Sequence, residues 1–380
     1  MMKDKITVLF ISNQGGGAPK SLLNMIKSLG EWVTPIVLFE NDWYDYQLFV
    51  SEGIESVIVP FRMGMVLDRP EYKTRKWRLH RLLDEFWLNK RVARRVAKKI
   101  GGRKIDIVHT NTGAITIGNE VAKALKAKSV WHLREFQDID FGGKPYEGWQ
   151  SFYKKLREAD AVIGITKAIG EHFHFNELSN ANVIWDAVRS KKDSVVNLDK
   201  ENYILYCSSM IVPAKGLHEL IEAYAQSKLL SEGVNLKVVG IMDKDYWKKI
   251  NQLLARYHLR ENVIFEGSQD NVKPYFEKAK AFVLPSLNEG LGRVVVEAMF
   301  YGCPVIVRKM GGPTEYIQDG KNGYFFSDTE ELASKLNLIC FTNQKKLICR
   351  EQIFAEANFS EEVYGKKIYN IYQTLLNNGK

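Results

Sequence analysis

Cysteine is scarce in this 380-residue chain, and the few that occur do not cluster. Cys207, Cys303, Cys340 and Cys349 form no Cys-x-x-Cys pair and no Cys/His group. That excludes the common zinc and disulfide frameworks and implies reduced thiols of a cytosolic protein. Long apolar runs are also missing: none approaches the ~18 residues of a membrane span. The opening "MMKDKITVLFIS" is short, holds a threonine and lacks a small-residue cleavage site, so it reads as a first strand and not a leader. Low-complexity tracts and short-period repeats are absent as well. What is present is an ordinary globular composition, 45% hydrophobic and 26% charged, able to bury a sizeable core. At about 150 residues per domain the length implies two domains, or three.

The formal charge of +9 is unevenly spread. Residues 69–104 hold 14 Lys/Arg against 3 Asp/Glu, a local +11, so the remainder is slightly acidic. Within it, Leu79, Leu82, Leu83, Phe86, Ala93, Ala97 and Ile100 recur at helical spacing, with Trp77 and Trp87 nearby. A basic, amphipathic, Trp-bearing helix suits an anionic membrane surface, where each Lys or Arg contributes ~1 kcal/mol. The alternative is a core-packing helix with a solvated basic face. No nucleic-acid-binding motif accompanies the charge, so nucleic acid is not expected as a partner.

Apolar runs alternate with helical stretches throughout, the pattern of an α/β chain with parallel sheets. Runs at 5–12, 34–39, 105–109, 129–133, 161–165 and 181–185 fall in the first half; those at 203–208, 234–240, 262–266, 280–285 and 304–308 fall in the second. Between them "DAVRSKKDSVVNLDKEN" (186–202) is polar and aperiodic, as a linker would be. The expected architecture is two Rossmann-like doubly wound domains facing across a cleft, 1–188 and 189–360. Residues 361–380 form a last helix that either stays with the second domain or crosses back to the first.

The most informative stretch is "LPSLNEGLGRVVVEAMFYGCPVIV" (284–307). A buried strand leads into a helix, so the intervening glycines sit at the carboxyl edge of the sheet, where open α/β folds bind ligands. Gly290 and Gly292 let the backbone approach a ligand, and the amides at the helix start favour an anion. Glu297 lies five residues beyond Gly292, roughly 7.5 Å at 1.5 Å per residue, about the span from a diphosphate to its ribose. Glu289, before the turn, would face the group on the far side of the phosphates. Alone, Glu289 is a helix cap and Glu297 a surface acid; together they suit a nucleotide-sugar.

With its continuation "GGPTEYIQDGKNGYFF", this block resembles the donor-binding core of family 4 glycosyltransferases, retaining enzymes of the GT-B fold whose hallmark Glu-x7-Glu is matched by Glu289 and Glu297. "NQGGGAPKSLLNMIKSL", "VWHLREF", "VIWDAV" and "PAKGLHELIEAY" extend the likeness over most of the chain. The resemblance implies that Glu297 holds the ribose and that Glu289 contacts the transferred sugar. Amides near Gly290, Leu291 and Gly292 would hold diphosphate and sugar, and Lys215 would pair with the diphosphate. Gly16 and Gly17 would line the site near diphosphate and acceptor. His132 would reach the donor sugar and reaction centre, with Arg134 and Glu135 as acceptor contacts. It also implies, by family frequency, a UDP-sugar donor; taken with the basic, aromatic first half, it suggests a glycan or lipid-linked glycan acceptor in bacterial surface polysaccharide synthesis and a cytoplasmic enzyme peripheral to the membrane.

Three positions in two segments depart from the family. Where a Gly-Arg pair usually precedes the Lys-Gly segment, Ser209 and Met210 stand, and Asp186 replaces the usual asparagine. Arg293, in the first helical turn, is the candidate to take over the missing arginine's role. Asp138-x-Asp140 imitates the metal-binding motif of another glycosyltransferase fold, but glycine amides and Lys215 already supply countercharge, so no essential metal and no cofactor is expected. Rival readings are a non-catalytic nucleotide-sugar or nucleic-acid binding protein and an NAD-dependent oxidoreductase. The latter needs a third fingerprint glycine where Lys20 stands.

Overall fold

The structure, a computed structural model, describes residues 5–67, 74, 89–287 and 289–377. The chain divides into two compact units, one of residues 1–187 and 361–380, the other of 188–360.

The first unit holds β1 (Ile6–Ile11), β2 (Val33–Phe39), β3 (Glu55–Ile58), β4 (Met65–Leu67), β5 (Ile107–Thr110), β6 (Lys128–Leu133), β7 (Gly143–Pro145), β8 (Ala161–Gly164) and β9 (Ala181–Val183). Its helices are α1 (Ala18–Leu29), α2 (Tyr44–Ser51), α3 (Lys90–Ile100), α4 (Gly118–Leu125), α5 (Asp138–Phe141), α6 (Trp149–Glu158) and α7 (Lys167–His172). Seven strands form a parallel sheet in the order β3-β2-β1-β5-β6-β8-β9, and β4 pairs antiparallel with β7. Residues such as Val8, Phe10, Val108 and Val130 are buried because helices cover both faces, which is why these strands read as continuous apolar runs. β3, β4, β7 and β9 are short and three of them have only three residues. That leaves no long apolar run, so β3, β4 and β7 escape a reading by hydropathy.

The second unit holds β10 (Tyr203–Ile211), β11 (Asn235–Met242), β12 (Val263–Gly267), β13 (Ala281–Leu284), β14 (Val305–Arg308) and β15 (Tyr324–Phe326). They form a parallel sheet in the order β12-β11-β10-β13-β14-β15. Its helices are α8 (Leu217–Gln226), α9 (Lys244–Arg256), α10 (Lys273–Lys278), α11 (Arg293–Phe300), α12 (Thr329–Phe341) and α13 (Lys345–Phe359).

The last helix, α14 (Glu361–Asn377), returns to the first unit. Tyr364, Ile368 and Tyr372 recur every fourth residue, share one face and are buried. Helix α14 packs against α1, and a Cβ at Gly365 would lie 2.1 Å from the Ser28 carbonyl oxygen, so the two backbones approach closely.

Two expectations need refining. The 186–202 stretch holds the boundary between the units and is exposed over much of its length, but it is anchored at its ends: Asp186 and Val188 are buried, the Val188 amide donates to Phe359 O at 2.9 Å, and Lys200 Nζ donates to the carbonyls of Glu277 and Gly302. A polar, aperiodic sequence can still be fixed by main-chain bonds that hydropathy does not register. On α3, Val92, Val96 and Ile100 are buried in the core around Leu9, Val57 and Val121, so its apolar face is already occupied. Arg91, Arg94, Lys98 and Lys99 remain exposed. Leu79, Leu82, Leu83, Phe86, Trp77 and Trp87 lie outside the described residues.

Candidate active site

In the second unit, three loops at the carboxyl edge of the sheet are locked together. After β10, Pro213–Lys215 makes a single 3₁₀ turn, and Gly216 (φ 70°) starts α8. A Cβ there would fall 2.3 Å from Pro285 O, so only glycine fits. The Leu287 amide donates to Ala214 O at 2.9 Å, joining this loop to the one after β13. The loop after β14 supplies the third layer. Gly312 N donates to Glu289 O at 2.8 Å, and a Cβ at Gly312 would meet Gly290 O at 1.9 Å. Buried Tyr316 donates its hydroxyl to Leu291 O at 2.9 Å. Gly292 (φ 72°) then opens α11 at Arg293, so Gly290, Leu291 and Gly292 form a bend held from below by a glycine pair and a tyrosine.

The two acids flank this bend, each held by a cation. Lys215 Nζ donates to Glu289 Oε1 at 2.5 Å, with side chains 31% and 19% exposed. Glu297, one and a half turns into α11, meets Arg189 Nη2 at 3.1 Å, and Arg189 Nε donates to the Tyr301 hydroxyl at 2.6 Å. Each pair is half-buried, shielded enough to be ordered and open enough to be reached. Arg293 is half-buried at the first residue of α11. Met210 is 52% exposed, so the missing family arginine is replaced by an apolar side chain in solvent. Val295, Val296, Ala298 and Met299 lie on the buried face of α11.

In the first unit, Gly15 (φ 82°) and Gly16 (φ 79°) occupy left-handed backbone after β1, and Gly17 precedes α1 with Pro19 in its first turn. Here the surroundings are acidic. The Gly15 amide donates to Asp45 Oδ2 at 2.5 Å, and burial raises the Glu40 carboxyl, with Gln14 and Glu40 backbone amides opposing that rise. An anion at this loop meets like charge, unlike one at the Gly290–Gly292 bend.

His132 is the penultimate residue of β6, with its ring fully buried. Its Nδ1 lies 3.3 Å from His109 Nε2 and 3.4 Å from Arg134 Nη2, while Nε2 has no hydrogen-bond partner among the described residues. Burial first, then the Arg134 charge, holds both imidazoles well below the usual histidine range. Arg134 departs from the expected acceptor contact: it is buried, ion-paired with Asp186, and donates from Nε to Asn111 Oδ1 at 2.9 Å. Asp186 in turn accepts from the Tyr364 hydroxyl at 3.1 Å. The Asp186 departure and Arg134 are thus two halves of one pair. Half-buried Glu135 accepts from Thr112 Oγ1 at 2.9 Å and Gln137 Nε2 at 3.0 Å, and burial raises its carboxyl. Asp138 pairs with His172 at 2.8 Å, and Asp140 accepts from the Phe136 amide at 2.8 Å, so both carboxylates serve the local loop.

Sequence reasoning missed Arg189, Tyr301, His109 and Tyr372. His109 carried a signal: "IVHT" places a histidine near the end of β5 as "SVWHL" does at β6. Arg189 carried none, since its partner is 108 positions away.

Two parallel doubly wound sheets, one with a glycine bend between paired acids, define a GT-B protein. Residues 188–353 match the family described as glycosyl transferases group 1. It is 28% identical over 234 residues to N-acetyl-alpha-D-glucosaminyl L-malate synthase of Bacillus anthracis, covering 58% of this chain and 60% of the relative. It is 32% identical over 134 residues to the lipopolysaccharide core biosynthesis glycosyltransferase LpsE of Rhizobium meliloti, 35% of this chain and 38% of the relative. The chain therefore spans less than two thirds of the length of these curated relatives. Among solved structures, Anabaena HepE in complex with UDP and glucose superposes with a TM-score of 0.73 at 21% identity, over 97% of this chain and 100% of that one.

Proposed function

We propose that the protein is a retaining glycosyltransferase that moves a sugar from a nucleoside-diphosphate sugar, UDP-linked, to a hydroxyl of a glycan or lipid-linked glycan in bacterial surface polysaccharide synthesis. The observation that carries this reading is the arrangement of Glu289 and Glu297 on either side of the Gly290–Gly292 bend, each beside a cation. The HepE complex with UDP and glucose and the LpsE relative support the donor and the pathway.

In this reading Glu297, oriented by Arg189, accepts from the ribose hydroxyls. Lys215 exchanges Glu289 for the diphosphate, freeing Glu289 to contact the transferred sugar. Arg293 stands beside the phosphates in place of the absent arginine at Met210. The departing diphosphate, stabilised by Lys215, Arg293 and the amides of Leu291 and Gly292, takes the acceptor proton on the face it leaves. Catalysis rests on electrostatic stabilisation of that leaving group and on orientation. His132 bonds the donor sugar, and Glu135 faces the acceptor. Gly16 and Gly17 are assigned to sugar hydroxyls in preference to phosphate, because Asp45 and Glu40 lie beneath their loop.

With cations supplying the countercharge, no metal is required: EDTA leaves turnover intact, and restoration by manganese of a lost activity refutes this part. Among the described residues no helix is long and apolar enough to cross a membrane. With the apolar face of α3 occupied by the core, peripheral attachment at the cytoplasmic face is proposed through the exposed basic residues of 69–104, such as Arg94, Lys98 and Lys99, and sedimentation with anionic liposomes at low salt tests it.

The deciding assay measures free nucleoside diphosphate from UDP-, GDP-, ADP- and dTDP-sugars with a glycan acceptor. One donor is expected to turn over, and E289A/E297A to lower its rate by at least about a hundredfold. Unaltered turnover in the double variant overturns the assignment; donor binding without release identifies a silent binding protein, the reading that exposed Met210 favours.

A further inference from the structure

The buried rings around His132 form a chain with one possible direction. Tyr372, from α14, lies 2.7 Å by its hydroxyl from His109 Nδ1; His109 Nε2 lies 3.3 Å from His132 Nδ1. Arg134 Nη2 faces that same His132 Nδ1 at 3.4 Å. A guanidinium only donates, so His132 Nδ1 must be a bare acceptor. His109 Nε2, facing the same atom, then carries the His109 proton, which leaves His109 Nδ1 bare and makes the Tyr372 hydroxyl the donor. The remaining His132 proton sits on Nε2, the nitrogen without a hydrogen-bond partner among the described residues.

The other neighbours fit this order. Asp186 Oδ1 is 3.8 Å from His132 Nε2, beyond hydrogen-bond reach, and the Asp186 carboxylate is already engaged by Arg134 and the Tyr364 hydroxyl. Phe10 packs against His109 with ring centroids 5.5 Å apart and brings no polar group. Burial beside a guanidinium keeps both imidazoles neutral.

We propose that Tyr372 and His109 are positioning residues that fix His132 as an Nε2–H donor, so that the last helix of the chain sets which proton this site presents to a sugar oxygen. The ligand in this statement rests on the proposed function; the proton arrangement does not.

Long-range ¹H–¹⁵N spectra of full-length protein labelled at histidine, assigned with H109Q and H132Q, read the arrangement directly at pH 7. Protonated Nε2 and bare Nδ1 are expected for both residues, with His109 Nδ1 shifted by its hydrogen bond. Y372F moves His109 Nδ1 to the position of an unbonded nitrogen and lowers kcat about tenfold, with KM for the nucleotide-sugar within about twofold. Y364F removes a hydroxyl from the same helix but from Asp186, and leaves the His109 spectrum unchanged. A proton on His132 Nδ1, an imidazolium, equal response of His109 to both tyrosine variants, or an unchanged kcat in Y372F overturns the proposal. Should the spectra agree while no nucleotide-sugar is turned over by the wild-type protein, the transferase reading fails and the proton arrangement stands.

Discussion

The two units use charge in opposite ways. In the first, Arg134 and Asp186 are buried, paired and surrounded by Asn111, His132 and Tyr364. In the second, Lys215–Glu289 and Arg189–Glu297 sit half-exposed beside an open glycine bend. A buried pair is expensive to break because the remaining charge has no solvent, whereas a half-exposed pair contributes little and exchanges readily. The first arrangement holds a fold in place. The second is suited to trading a side-chain partner for a ligand.

This contrast can be broken by measurement. R134A strands Asp186 in the core and is expected to lower unfolding stability by about 3–5 kcal/mol in urea titration. An R134A protein within about 1 kcal/mol of wild type would erase the difference between the units. G312A drives a methyl group against Gly290 O and is expected to cost about 1–3 kcal/mol. Because the strain falls under the bend, donor affinity by calorimetry falls with it; unchanged affinity would mean that the Gly311–Gly312 loop does not shape the bend. K215A sits at the other extreme, costing about 0–1 kcal/mol in stability while lowering turnover by about a hundredfold. R189Q is the smallest perturbation: stability stays within about 1 kcal/mol, and KM for the donor rises several-fold with kcat nearly constant, as expected if Arg189 only orients Glu297. A kcat loss equal to that of K215A would instead put Arg189 among the groups that hold the leaving phosphate.

The parallel sheets and the glycine bend were legible because they are local or periodic. Apolar runs such as "VVVEAM" and "AFVLPS" announce a strand feeding a helix, and the bend lies between them. The two carboxylates were legible through their fixed spacing on one turn and one helix. Arg189 and Tyr372 were not, because each acts across a long loop of chain: Tyr372 lies 263 positions from His109. Arg134 shows the converse error, since a charged residue beside a site histidine reads as a ligand contact until its burial and its pairing with Asp186 are seen.

The sequence by itself determined the α/β alternation, the carboxyl-edge position of the bend and the identity of its acids, since these follow from short-range periodicity and from glycine's freedom at positive φ. Tertiary structure alone decided which cation serves which acid, that the last helix returns to the first unit, and which nitrogen of His132 carries the proton. Those properties depend on distances between residues remote in the chain, and hydrogen-bond direction is settled only when donors and acceptors are brought face to face.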